Sequence, residues 1–73
     1  MAELKVRSEV AGSVWKLLVN VGSRVELDAP LLILESMKME IPVDAPVAGE
    51  VLSIAVEPEE VVEEDQVLLV LRT

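Results

Sequence analysis

Slid along itself by 37 positions, the chain of 73 residues matches without a gap. Val10, Ala11, Gly12, Val14, Val19, Val25, Glu26, Asp28, Leu31, Leu32 and Leu34 fall on Val47, Ala48, Gly49, Val51, Val56, Val62, Glu63, Asp65, Leu68, Leu69 and Leu71, and Leu17 with Ile54 and Ile33 with Val70 are conservative pairs. Two segments rich in Val and Leu could align by chance at their apolar positions. Chance does not account for Gly12 over Gly49 and Asp28 over Asp65, which are turn formers. Two copies of one strand–turn–strand–turn–strand unit predict a pseudo-twofold fold of two facing sheets.

The local pattern supplies the strands. Residues 2–7 alternate, with Leu4 and Val6 on one side and Glu3, Lys5 and Arg7 on the other, as a half-buried strand does. Gly12 precedes a run in which Trp15, Leu17, Val19 and Val21 share one parity, while Lys16 and Asn20 take the other. Gly22-Ser23 and Asp28-Ala29-Pro30 read as turns around a short strand from Arg24 to Leu27. Residues 57–66 offer Pro58 and a cluster of acids that suit a first helical turn. Their repeat partner contains Gly22 and ends on Pro30, which makes a poor helix, so turn, short strand, turn is expected in both copies. The core is expected at the paired positions Leu17, Val19, Ile33, Ile54, Val56 and Val70.

Composition narrows the chemistry. The hydrophobic residues, 52% of the chain, are nearly all Val, Leu, Ile and Ala, and Trp15 is the only aromatic. Such β-branched content favours an all-β fold. The length suits one domain, 1–73, with no apolar residues to spare for a second core. With no cysteine there is no disulfide or thiolate metal site, and with no histidine, zinc and general-base chemistry lose their commonest residue. A net charge of −8 opposes phosphate backbones and anionic membranes, so neither nucleic acid nor membrane is an expected partner. No apolar run approaches the roughly 20 residues that span a bilayer, and no signal-peptide core is visible. A soluble, cytoplasmic protein is the expectation.

One stretch has no place in that scaffold logic. Leu31-Leu32-Ile33-Leu34 and Ile41-Pro42-Val43 read as the arms of a hairpin whose tip is Glu35-Ser36-Met37-Lys38-Met39-Glu40. The tip lies in the joint between the two copies and carries Lys38 outward between Met37 and Met39, a pair suited to recognition when it faces water. A lysine that is a nucleophile by itself must be desolvated or sit beside a cation. Glu35 and Glu40 supply neither an apolar pocket nor a cation. Lys38 is therefore expected to be inert alone and better suited to modification by another enzyme, and no catalytic residue is assigned.

These residues, in the joint of a repeated β unit, resemble the attachment hairpin of the biotinyl/lipoyl-domain family, and Met37-Lys38-Met39 looks like the biotinyl branch. Lipoyl domains typically have aspartate before the lysine and a small residue after it, and neither is present. The resemblance implies a flattened eight-stranded barrel or sandwich of two pseudo-twofold-related, four-stranded antiparallel sheets. It places the lysine tip opposite the paired termini. It further implies that Lys38 is biotinylated by a biotin–protein ligase that recognises Met37 and Met39 in the context of Glu35, Ser36 and Glu40. The arm would then shuttle carboxyl groups between biotin carboxylase and carboxyltransferase partners. A lipoyl carrier of a 2-oxo-acid dehydrogenase complex and an unmodified β scaffold module are the alternatives. Where the family has turn glycines, this chain has Asp28, Glu59 and Asp65, and strain is expected at Glu59. The family's usual alanine before the first methionine is replaced by Ser36. The gap-free repeat leaves no room for the protruding thumb of some bacterial carriers, so the chain is similar to the short, free-standing attachment proteins or to a domain excised from a larger carboxylase.

Overall fold

The structure is a computed structural model and describes residues 2–73. Its elements are β1 (Glu3–Arg7), β2 (Gly12–Leu17), β3 (Arg24–Val25), β4 (Pro30–Ser36), β5 (Met39–Asp44), β6 (Gly49–Ile54), β7 (Val61–Val62) and β8 (Val67–Arg72). No helix occurs among the described residues, and the acidic segment around Pro58 is turn, short strand, turn, as its repeat partner requires.

Two antiparallel four-stranded sheets result, one ordered β1-β8-β6-β3 and the other β5-β4-β2-β7. Adding 37 to β2 and β3 gives the bounds of β6 and β7. The same shift carries either sheet order into the other. Each sheet takes two strands from each copy, so neither copy closes a sheet alone. The repeat also reaches further back than Val10, because β1 maps onto β5 with Val6 over Val43. Loop hydrogen bonds obey the same symmetry. Gly22 N–H donates to Val51 O at 2.8 Å and Glu59 N–H to Val14 O at 2.6 Å, while Asp28 N–H donates to Ala45 O at 2.8 Å and Asp65 N–H to Ser8 O at 2.7 Å.

The core differs in part from the sequence expectation. Leu31, Leu32 and Leu34, with their repeat partners Leu68, Leu69 and Leu71, are at most 1% exposed, and Val14, Val51 and Val62 complete the centre. Of the six positions expected to be buried, Val56 is; Leu17, Val19 and Ile54 are half-buried against the cluster; Ile33 and Val70 are only half-buried and lie outside it. Along β2 and β6 the cause is a bulge in each copy. Register shifts between Val14 and Lys16 against β4, and between Val51 and Ser53 against β8, leaving Trp15 and Leu52 as extra residues. An extra residue breaks the two-residue alternation. Val14 therefore points inward while Trp15 is 43% exposed, and the parity read from Trp15 through Val21 does not define the buried face.

The topology sets two poles. β2 starts beside the base of the β4–β5 hairpin, where Ser13 pairs with Glu35, and runs away from it. The chain then forms β3 beside Gly49 and Glu50, next to the end of β8. There the chain ends are tied, with Thr73 N–H donating to Ala2 O at 2.9 Å and Ala2 N–H to Thr73 O at 3.4 Å. The hairpin and the ends thus occupy opposite poles of a body 36 Å long and 17 Å across.

Candidate functional site

The hairpin is shorter than its polar tip suggested. Ser36 pairs with Met39, which leaves a two-residue loop of Met37 and Lys38 at φ of 52° and 63°. Positive φ at both central residues is the requirement of a type I′ turn, whose twist matches that of the flanking strands. Asn-Gly usually supplies it. Here two residues bearing Cβ adopt the left-handed region, at a cost of about 1–2 kcal/mol each. Met37 is 92% and Met39 65% exposed, and Lys38 is exposed between them.

The tip is anchored from below. The Ser36 hydroxyl donates to Ala11 O at 2.9 Å, tying the end of β4 to the approach of β2. Next to it, a Cβ on Gly12 would overlap the carbonyl oxygen of Glu35, so only glycine permits this approach of the two strands. Gly49 stands in the same relation to the carbonyl of Arg72 at the other pole. Ala11 and Gly12 were not among the site residues expected from sequence, although Gly12 was conspicuous there as half of the Gly12/Gly49 repeat pair. Glu35 and Glu40 face each other directly across β4 and β5, both exposed, and form a carboxylate collar beneath Lys38.

All six tip residues expected from sequence are brought together by this hairpin. The other lysines sit differently. Lys5 lies within β1, paired with Val70, and Lys16 Nζ stands 4.8 Å from the centre of the Trp15 ring. Residues 35–40 line neither the groove between β1 and β5 nor the hollow near the chain ends. Among the described residues no three His, Cys, Asp or Glu side chains are grouped to hold a metal ion. The arrangement presents a primary amine at an apex with open space around it. An acyl group can be attached there and reach into a pocket that belongs to another protein.

Residues 3–71 match the family described as "Biotin-requiring enzyme". The chain belongs to the biotinyl/lipoyl attachment-domain family. As a biotinyl/lipoyl domain it is 40% identical over 66 residues to the "Biotin/lipoyl attachment protein" of Bacillus subtilis, covering 90% of each chain. It is 41% identical over 71 residues to the "Biotinylated protein TB7.3 homolog" of Mycobacterium leprae, covering 97% of this chain and 99% of that one. Among solved structures, a single-chain, multi-domain long-chain acyl-CoA carboxylase contains a similar domain, with a TM-score of 0.91 and 35% identity over 97% of this chain but 7% of that one. Against the α subunit of mitochondrial methylcrotonoyl-CoA carboxylase from Dictyostelium discoideum the identity is 38%, and the domain spans 9% of that protein.

Proposed function

We propose that this domain is a biotin carboxyl carrier and that Lys38 is its attachment residue. The observation that carries the reading is the I′ apex, which lifts Lys38 clear of both sheets between two exposed methionines. Covalent attachment fits this geometry, because an amide to the lysine Nζ needs an open amine and no pocket. Bound there, biotin supplies a site for reversible carboxylation. The chain's own residues extend it, orient it through the turn and keep it away from the protein surface. The domain is thus a carrier and not the catalyst. Its partners are a biotin–protein ligase, which acts on Lys38, and the biotin carboxylase and carboxyltransferase sites between which the arm moves. Relatives that are segments of carboxylases support the second pair. The lipoyl alternative has less support, since Met37 and Met39 take the places where lipoyl domains typically have aspartate and a small residue, and the acyl-CoA carboxylase and the TB7.3 homolog point to biotin.

The test is the intact mass of the protein after incubation with ligase, ATP and biotin. One biotinyl group is expected, located on Lys38 by peptide mapping. Lys38→Arg should take up none while unfolding at the wild-type denaturant concentration, because the side chain is exposed and its charge is kept. Biotin on Lys5 or Lys16, or avidin-positive Lys38→Arg protein, would refute the assignment.

A further inference from the structure

The repeat makes each sheet an internal control for the other. On the outer side of β5-β4-β2-β7, Pro42, Ile33 and the bulged pair Trp15 and Lys16 form one row, and Val61, 75% exposed, lies across from Ser13 in the next. The equivalent outer positions on the opposite sheet hold Lys5, Val70, Leu52, Ser53 and Arg24. Symmetry-related backbone therefore carries four apolar side chains and one base on one side, against two apolar side chains, a serine and two bases on the other. Fold alone does not require this, because both sets of side chains sit on the same scaffold.

Charge follows the same division. Residues 57–66, which flank β7 beside the tip, contain six acids and no base, whereas their repeat partners 20–29 contain Glu26, Asp28 and Arg24. Glu35 of the carboxylate collar has Arg72 as its equivalent. The apolar face is consequently rimmed by negative charge on the side nearest Lys38, and Lys16, the one base in its row, is engaged by the Trp15 ring. An exposed apolar patch with a polar rim is the usual anatomy of a protein contact.

We propose that the enzyme attaching biotin to Lys38 docks on the outer face of β5-β4-β2-β7, through an apolar ridge flanked by lysine or arginine side chains. Trp15 is the anchor and the carboxylates steer the approach. The opposite sheet stays free. A second copy of this chain is a poor occupant, because two bodies of charge −8 repel.

The proposal rests on the carrier reading, and the experiment separates the two. Ligase-catalysed biotin attachment is measured for the wild type, for Trp15→Leu/Val61→Arg, and for the reciprocal Leu52→Trp/Arg24→Val. Each variant installs what the equivalent position already accommodates, so the fold is retained and is checked by circular dichroism and the unfolding midpoint. The first variant should lose about tenfold in kcat/KM, through KM, since removing an interface anchor typically costs more than about 1 kcal/mol. The reciprocal variant should stay within about twofold, as surface changes do. Rising salt should lower the wild-type kcat/KM. Equal losses in both variants, no loss in the first, salt-independent labelling, or a wild-type dimer in sedimentation would overturn the docking assignment. Wild-type protein that takes up no biotin at all would overturn the carrier reading and the docking assignment with it.

Discussion

At Glu59, φ is 72°, a conformation that costs a residue with a Cβ about 1–2 kcal/mol, while its repeat partner Gly22 holds 93° freely. Glu59→Gly should accordingly raise the unfolding free energy by about 0.5–1 kcal/mol, less than the full relief because glycine gains freedom in the unfolded chain. A denaturant titration reads the difference. Asp28 and Asp65, at 68° and 71°, tolerate the same region better, so their replacement by glycine should gain less. These three turn positions were legible in the sequence as departures from glycine. Met37 and Lys38 were not, because no turn-forming residue marks them and only the pairing of Ser36 with Met39 reveals the loop. Strand alternation would turn a lysine at position 37 toward the opposite face, yet residue 37 is itself in the turn. Exchanging Lys38 with Met37 or with Met39 should still nearly abolish biotin attachment, since the apex offers one outward direction per position. Wild-type rates from either exchange, or from a peptide spanning residues 31–43, would show recognition of linear sequence instead.

Strand elements show why glycine recurs at Gly12 and Gly49. A methyl group at either position meets a carbonyl oxygen, of Glu35 or of Arg72, and backbone must move. Gly12→Ala and Gly49→Ala should each destabilise by about 1–3 kcal/mol, the range for inserting a methyl into a packed site. Their functional effects should diverge. Gly12 supports the base of the hairpin, where Ser36 is bonded to Ala11, and its replacement should slow ligation beyond what lost stability explains. Gly49 lies at the other pole and should leave ligation unchanged in the fraction that remains folded. Ligation rates at a temperature where both variants are folded decide the point. The bulges at Trp15 and Leu52 escaped a reading based on alternation, because a two-residue period has no symbol for an inserted residue. β3 was legible from the turns Gly22-Ser23 and Asp28-Ala29-Pro30, although it ends at Val25 and not at Leu27, and β7 was placed because it could be compared with that copy.

For the whole molecule, the offset of 37 specified the symmetry but not which face of each strand is inside. In a run such as Leu31-Leu32-Ile33-Leu34 every side chain is apolar, and burial on either face looks the same in sequence. The structure resolves it: Leu32 and Leu69 are fully buried, whereas Ile33 and Val70 face outward. Leu32→Ala and Leu69→Ala should each cost about 2–5 kcal/mol, enough to unfold so small a domain under mild conditions. The half-exposed Ile33→Ala and Val70→Ala should cost clearly less, and similar unfolding midpoints for all four would contradict the inside-out assignment. The tie between Ala2 and Thr73 has a mechanical meaning for any chain attached at these ends. Both attachments converge on one pivot, so tension along a tether pulls on a single point and does not peel one sheet from the other. With the apex at the far end of a 36 Å body, rotation about that pivot sweeps Lys38 across an arc of comparable radius before the tether itself contributes any length.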